Sequence, residues 1–317
     1  GAFSLVMGRH VSHQDTSNLP FSYLIEQQNT SYIMPGANLK SVGTIRDAKK
    51  WPQRDARKDP DRLDQINYNL LSPYTIQKML NAIDILKQLQ QVSGVTSDAY
   101  TYQSGKIKSS SLKNGLKYYG MAIDKFLGNS LITRLMASEI TTLKELREAF
   151  VPQSAYGKGD WVDLAGMIVP KQAISDLIDA IENKEIADVE SLHRRYCELH
   201  GEYYRFEWHW VYEVLENYYN ISLQEATIEQ LSDLVRRWKE SVVGLDRMIY
   251  EDARKEFSLS SMTSFGADGN DKERKQDFMQ VRGATFESDP FVRTVKEHIE
   301  VKSALGDAAL ARLASLK

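Results

Sequence analysis

The hydrophobic pattern of the chain changes near Ser72. Before this position, short apolar or alternating runs are separated by clusters of Asn, Gln, Pro and Gly, a pattern typical of strands bounded by turns. The runs cover residues 2–7, 21–25 and 31–34. Strands this short cannot bury both of their faces alone, so we expect these two or three strands to pack against another part of the protein.

From Ser72 onward, apolar residues recur every three or four positions, which places them on one helical face. Ser72 is suited to cap a helix that has Pro73 at its first position and runs to about Val92. Further helices are predicted over residues 112–138, 142–150, 170–181, 189–219 and 227–257, and a last one starts at 290 and breaks near 306. The two helices at 189–219 and 227–257 should pair as an antiparallel hairpin. Residues 93–110 are predicted to be a loop, and another loop, which contains residues 156–161, is predicted to precede Pro170.

These patterns predict a mainly α fold. We expect an antiparallel helical bundle-like domain over residues 72–317. A small N-terminal β-containing extension, which includes a basic segment, is expected to precede it over residues 1–71. In this interpretation the helices make a self-sufficient apolar interior, and the front of the chain is an appendage to it.

Composition narrows the classes of function. The 317 residues are 42% apolar and 26% charged, which is ordinary for a globular protein with a real core. The single cysteine, Cys197, excludes an intrachain disulfide, and no apolar run approaches the roughly 20 residues of a membrane helix. We therefore predict a cytoplasmic protein that does not span a membrane. A pI near 6.1 argues against a nucleic-acid partner.

A basic segment occupies residues 40–58, with seven Lys or Arg side chains and two Asp side chains. We predict an anion-binding role for Arg46, Lys50, Arg54 and Arg57, because guanidinium and ammonium groups match the oxygens of phosphate or carboxylate. If residues 41–50 form a turn or two of helix, Arg46, Lys49 and Lys50 share one face of it. The alternative is a solvated face, or salt bridges to the acidic helices.

The front segment also carries a candidate catalytic cluster. His10, His13 and Asp15 lie between two predicted strands and offer an imidazole beside a carboxylate, which are the ingredients of a general base near neutral pH. The alternative is that these histidines lie in a surface turn without a chemical role. No sequence pattern here implies a cofactor or a metal. The Gly157–Gly159 stretch lacks the ending of a Walker loop, and His193 and His200 are about 10 Å apart along one helix, too far to share one zinc ion.

Five short motifs together carry a family resemblance, clearest over the first eighty residues or so. They are Phe3-Ser4-Leu5, Leu19-Pro20-Phe21-Ser22, Ile33-Met34-Pro35-Gly36, Arg54-Asp55-x-Arg57-Lys58 and Leu71-Ser72-Pro73. The chain resembles the C-terminal part of an uncharacterised family of Bacteroidetes proteins. In longer members of that family, a left-handed β-helix of hexapeptide repeats precedes a mainly helical region.

The resemblance implies a link to sugar-nucleotide chemistry. The β-helix of that family is similar to those of sugar-nucleotide acyltransferases and nucleotidyltransferases, but this chain has no run of hexapeptide repeats. The family supplies no catalytic residue for this chain. We therefore predict a helical accessory or interaction domain of a larger hexapeptide-repeat protein, with the upstream β-helix as its partner and an anionic sugar as its ligand. The alternative is a stand-alone transferase or hydrolase of phosphorylated sugars. Whether the chain forms a homo-oligomer stays open.

Overall fold

The computed structural model describes residues 1–60, 62–137, 140–262, 265–266 and 268–316. These residues form ten α-helices and seven strands, joined by turns and short 3-10 helices. The helices are α1 Val42–Gln53, α2 Pro73–Ser93, α3 Ser109–Ala137, α4 Leu143–Phe150, α5 Lys171–Glu182, α6 Val189–Gly201, α7 Tyr203–Tyr219, α8 Ile228–Ala253, α9 Asp271–Arg282 and α10 Pro290–Ser315. The strands are β1 Leu5–Met7, β2 Tyr23–Gln27, β3 Thr30–Met34, β4 Ala99–Tyr102, β5 Gly105–Lys108, β6 Trp161–Leu164 and β7 Met167–Pro170.

A five-stranded mixed sheet joins the front of the chain to its middle, in the order β1-β2-β3-β5-β4. Strand β1 is parallel to β2, and β3 is parallel to β5, whereas β2–β3 and β4–β5 are antiparallel hairpins. The predicted fold class is therefore wrong: the protein is mostly α with an integral β part. Strand β3 of the front segment pairs with β5 of the β4–β5 hairpin. This hairpin lies within residues 93–110, which the sequence predicts to be a loop.

A second hairpin, β6–β7, lies where the sequence also predicts a loop. Its two-residue turn uses Ala165 and Gly166, which have φ values of 51° and 104°. Positive φ at both central positions suits the twist of a tight hairpin. Gln77 on α2 bonds both the N–H and the C=O of Trp161, at 2.9 and 2.7 Å, which fixes the hairpin against the helices.

Several predicted helix starts are confirmed. Capping boxes begin α2 at Ser72, α4 at Thr142 and α8 at Thr227. Part of the basic segment, residues 42–53, forms α1. The predicted helix 189–219 is instead two helices that meet at Glu202. Helix α10 is continuous through Gly306, contrary to the predicted break. The predicted end of α3 at Ser138 lies outside the described residues.

The long helices pack through α8, which lies mainly against α3 and α10 rather than against α7 as predicted. At one contact a Cβ atom on Gly128 of α3 would lie only 2.4 Å from Cβ of Trp238 on α8, so glycine permits the close approach. The strands share this interior. Phe21 and Ile33 belong to the main hydrophobic core, and the buried Tyr119 hydroxyl of α3 donates to the Pro20 carbonyl at 2.7 Å.

Candidate functional site

The predicted catalytic cluster lies in the loop between β1 and β2. The His10 ring nitrogens lie 2.8 Å from Ser31 Oγ and 3.2 Å from the Met7 carbonyl. His13 is exposed, and Asp15 accepts a hydrogen bond from the Ser17 backbone N–H at 2.8 Å, which lowers the pKa of Asp15. Among the described contacts, no hydrogen bond joins either imidazole to Asp15. The structure therefore places the three residues in one loop without assembling an acid–base pair, and their catalytic role stays a prediction.

The predicted anion-binding residues are spread over α1 and the segment after it. Arg46 forms an ion pair with Glu256 at 2.6 Å. Arg57 binds Asp55 and Asp64 at 2.7 and 2.6 Å. Lys50 and Arg54 are exposed, as are their neighbours Lys49 and Trp51. Arg54 and Arg57 line one cavity of about 500 Å³, which Arg46 and Lys50 do not line. The structure therefore brings together two of the four residues, and their anion-binding role stays a prediction.

A different group of charged side chains converges in a cavity of about 730 Å³ between the long helices. Residues of α1, α3, α7, α8 and α10 and the segment 68–71 line it. Its charged and hydrogen-bonding residues include Lys49, Lys125, Asn129, Ser130, Arg134, Glu207, Asp246, His298 and Lys302. Of these residues, Lys49 belongs to the basic segment, and it is not among the four residues predicted to bind an anion. The lining therefore includes four side chains with ammonium or guanidinium groups and two with carboxyl groups.

One end of the cavity, the basic end, is built around Asp246 of α8, which is 5% exposed. His298 Nδ1 of α10 lies 2.6 Å from Asp246 Oδ2, and Lys125 Nζ of α3 lies 3.6 Å from Asp246 Oδ1. Burial acts to raise the pKa of Asp246, but the His298 hydrogen bond and the Lys125 charge together hold it below its ordinary value. Lys302 follows one helical turn after His298, and burial and the Lys125 charge lower its pKa.

The other end, the acidic end, contains Glu207 of α7, which is 8% exposed. Burial raises the pKa of Glu207, although Ser130 of α3 donates a hydrogen bond to it at 2.9 Å. Burial also lowers the pKa of Arg134 to about 10, and its guanidinium lies 4.1 Å from the centre of the Trp208 ring. This end combines a carboxyl group, a hydroxyl group and a cation, which are suited to binding polar ligand groups.

Sequence comparison shows which family the chain belongs to. Residues 142–313, more than half of the 317-residue chain, match a family described as a domain of unknown function (DUF6819). The chain belongs to this family. Residues 1–90 are similar to a second family, also described as a domain of unknown function (DUF4954). No curated protein and no solved structure matches the chain.

In this DUF6819 protein, the family-matched part supplies Glu207, Asp246, His298 and Lys302, whereas Lys125 lies between the two matched regions. The sequence prediction missed these residues. A signal was present, because Asp246 follows the inward-facing Val242 by four positions and Glu207 follows the inward-facing Tyr203 by four. An acidic side chain in register with an apolar helical stripe indicates a buried charge.

A second cavity of about 840 Å³ shares segment 68–70 with the first. Tyr68, Asn69 and Leu70 line both cavities. Of the described residues that line the second cavity, Asp47 and Asp163 carry charge, and both are negative. The second cavity is larger, but the first one gathers groups of opposite charge and shifted pKa, which is the more typical signature of a functional site.

Within the described ranges, no group of three or more His, Cys, Asp or Glu side chains is arranged to hold a metal ion. Across the same part of the chain, no helix has both the length and the apolar character needed to cross a membrane.

Proposed function

We propose that this protein binds a phosphorylated sugar in the cavity between α3, α7, α8 and α10. The observation that carries the proposal is the basic end, where the single buried carboxylate of Asp246 faces His298, Lys125 and Lys302. Positive groups in this part of the cavity outnumber their counter-charges, which favours an anionic ligand.

The electrostatics favour a compact dianion at the basic end. Lys302 lies in surroundings that penalise its charge, since burial and the neighbouring Lys125 ammonium lower its pKa. A phosphate group between these two lysines would compensate both charges and replace lost hydration with charge-assisted hydrogen bonds. The same argument does not apply to an uncharged ligand.

The acidic end suits the sugar. Glu207, Ser130 and Asn129 offer donors and acceptors to hydroxyl groups, and all three line the cavity. Tyr204 also lines it and is 66% exposed, so its ring is available to stack on the apolar face of a sugar. A ligand with a phosphate at one end and hydroxyl groups at the other matches this arrangement.

A thermal-shift panel tests the proposal. Hexose phosphates, sugar nucleotides and the corresponding unphosphorylated sugars are added to the wild-type chain. A ligand at 100 times its Kd should stabilise the native state by about 2.7 kcal/mol, which raises the Tm. We expect the phosphorylated compounds to raise the Tm and the unphosphorylated sugars to leave it unchanged.

Matched lysine variants make the panel specific. The double variant Lys125→Met and Lys302→Met should lose the shift, because it removes both ammonium groups from the basic end. Lys87→Met is the control, since Lys87 is exposed on α2 and lies outside the cavity lining. A Tm that no phosphorylated compound raises, or an undiminished shift in the double variant, would contradict the proposal.

We further propose that this region serves as the accessory part of a larger hexapeptide-repeat protein, whose β-helix meets the sheet at β1. The family resemblance of the first eighty residues supports this idea. So does the position of β1 at the sheet edge, with Leu5, Val6 and Met7 exposed. Amide hydrogen exchange of residues 5–7 should slow when an upstream β-helix is present in the same chain, and equal exchange with and without it would refute the contact.

A further inference from the structure

The orientation of His298 defines which of its nitrogens can react. An ionised carboxylate only accepts hydrogen bonds, so the Nδ1 atom that lies 2.6 Å from Asp246 Oδ2 must carry the proton. The other ring nitrogen, Nε2, then has an available lone pair whenever the ring is neutral. The buried Asp246 carboxylate also stabilises the imidazolium that forms when Nε2 accepts a proton. This arrangement is the one that general bases use.

His298 is also accessible from the cavity. Its side chain is 37% exposed, and it lines the cavity together with Lys125 and Lys302. By contrast, the His10 ring lies against a hydroxyl and a backbone carbonyl rather than a buried carboxylate. Among these two candidate bases, His298 alone combines a carboxylate partner with flanking cations.

The flanking cations suit reaction at phosphorus. Transfer of a phosphoryl group spreads negative charge over its oxygens, and preorganised positive groups stabilise that charge in the transition state. Lys125 comes from α3 and Lys302 from α10, so two separate helices hold them around the position where a phosphate would lie. Rigid helices keep such groups in place better than loops do.

We propose that this protein hydrolyses sugar phosphate monoesters at the basic end, with His298 as the general base; the proposal rests on the phosphate-binding function above. Water gives a proton to His298 Nε2 as its oxygen bonds to phosphorus. The P–O bond to the sugar breaks, and its electron pair stays on the sugar oxygen. That oxygen takes a proton from the Lys302 ammonium. The products are the free sugar and inorganic phosphate, and solvent carries the proton from His298 back to Lys302.

The test measures release of inorganic phosphate from hexose phosphates by the wild-type chain and by His298→Asn. Asparagine keeps a donor for Asp246 but has no basic nitrogen, so it should lower turnover by about 100- to 10,000-fold. The thermal shift with the same hexose phosphates should persist in His298→Asn, because Lys125 and Lys302 remain. His193→Asn is the matched control, since His193 lies on α6 outside the cavity lining and its loss should leave turnover unchanged.

The outcomes separate the two proposals. A thermal shift without phosphate release in the wild-type chain would overturn hydrolysis and leave phosphate binding standing. The absence of any shift would overturn both. Turnover that survives His298→Asn, or that is lost on His13→Asn instead, would place the chemistry elsewhere and overturn the role of His298.

Discussion

Two basic regions of this molecule differ in how their charges are compensated. Along the basic segment, Arg46 and Arg57 each bind acidic partners, while Lys50 is exposed to solvent. At the basic end of the cavity, Lys125 and His298 share one buried carboxylate, that of Asp246. Interactions between charges strengthen as water is excluded. Burial, rather than the number of charges, therefore decides in which region a bound anion would stabilise the positive groups most.

The largest expected difference between the two regions concerns their carboxylates. Asp246→Asn should destabilise the protein by about 3 kcal/mol, because it leaves Lys125 and His298 without a buried counter-charge. Asp64→Asn, which removes an exposed partner of Arg57, should leave the urea midpoint unchanged. Urea unfolding at neutral pH measures both. An equal change in the two midpoints would mean that burial does not distinguish the two regions.

The pH dependence of the same variant sharpens this result. The pKa of Asp246 lies below its ordinary value, so its stabilising effect should be present above the unfolded-state value of about 3.9. The effect should be lost as the pH falls through the lower pKa of the folded state. The difference in the free energy of unfolding between wild type and Asp246→Asn should therefore disappear at acid pH. A difference that stays constant down to acid pH would indicate a steric cause.

The sequence predicted helices well where the signal is local. Ser72, Thr142 and Thr227 begin helices as expected, because a capping residue and its partner lie only three positions apart. The front strands were predicted, but the β4–β5 hairpin was missed, because strands of four residues are too short to show a period of two. Their pairing with the early strands is a tertiary contact that no local pattern reveals.

The site was missed for a related reason. The basic segment is contiguous in sequence and therefore conspicuous, whereas Lys125, Asp246 and His298 come from three helices. Their proximity depends on α8 packing against α3 and α10, and the sequence instead suggested that α8 pairs with the helix before it. The local signal, an acidic residue in register with the inward face of α8, indicated a buried charge but not its partners.

A smaller effect is expected at the acidic end of the cavity. The raised pKa of Glu207 means that the folded protein holds this proton to higher pH than the unfolded chain does. Wild-type stability should therefore fall as the pH rises from about 4.3, the ordinary Glu value, through the raised value. Glu207→Gln should remove this slope and be more stable than wild type by about 1 kcal/mol at pH 8. Parallel stability curves for the two proteins would contradict the buried-acid interpretation.

Removing the charge of Lys302 should affect stability and ligand binding in opposite directions. Burial disfavours its charge, so Lys302→Met should stabilise the ligand-free protein, by roughly 0.5 kcal/mol because the side chain is only partly buried. The same variant should weaken the thermal shift with hexose phosphates. Lys50→Met, on the exposed face of α1, should change neither quantity. Loss of stability in Lys302→Met would show that its charge is already compensated without a ligand.

An equally small effect on stability is expected for Arg46, and it tests whether the two basic regions are independent. Arg46→Ala removes one ion pair of Glu256, but Arg282 also pairs with that carboxylate and remains in place. The loss of stability should therefore be only about 0.5 kcal/mol in urea unfolding. Because Arg46 does not line the cavity, the thermal shift with hexose phosphates should be unchanged. If Arg46→Ala reduced that shift as much as Lys302→Met does, the basic segment would share the anion, and the contrast between the two regions would disappear.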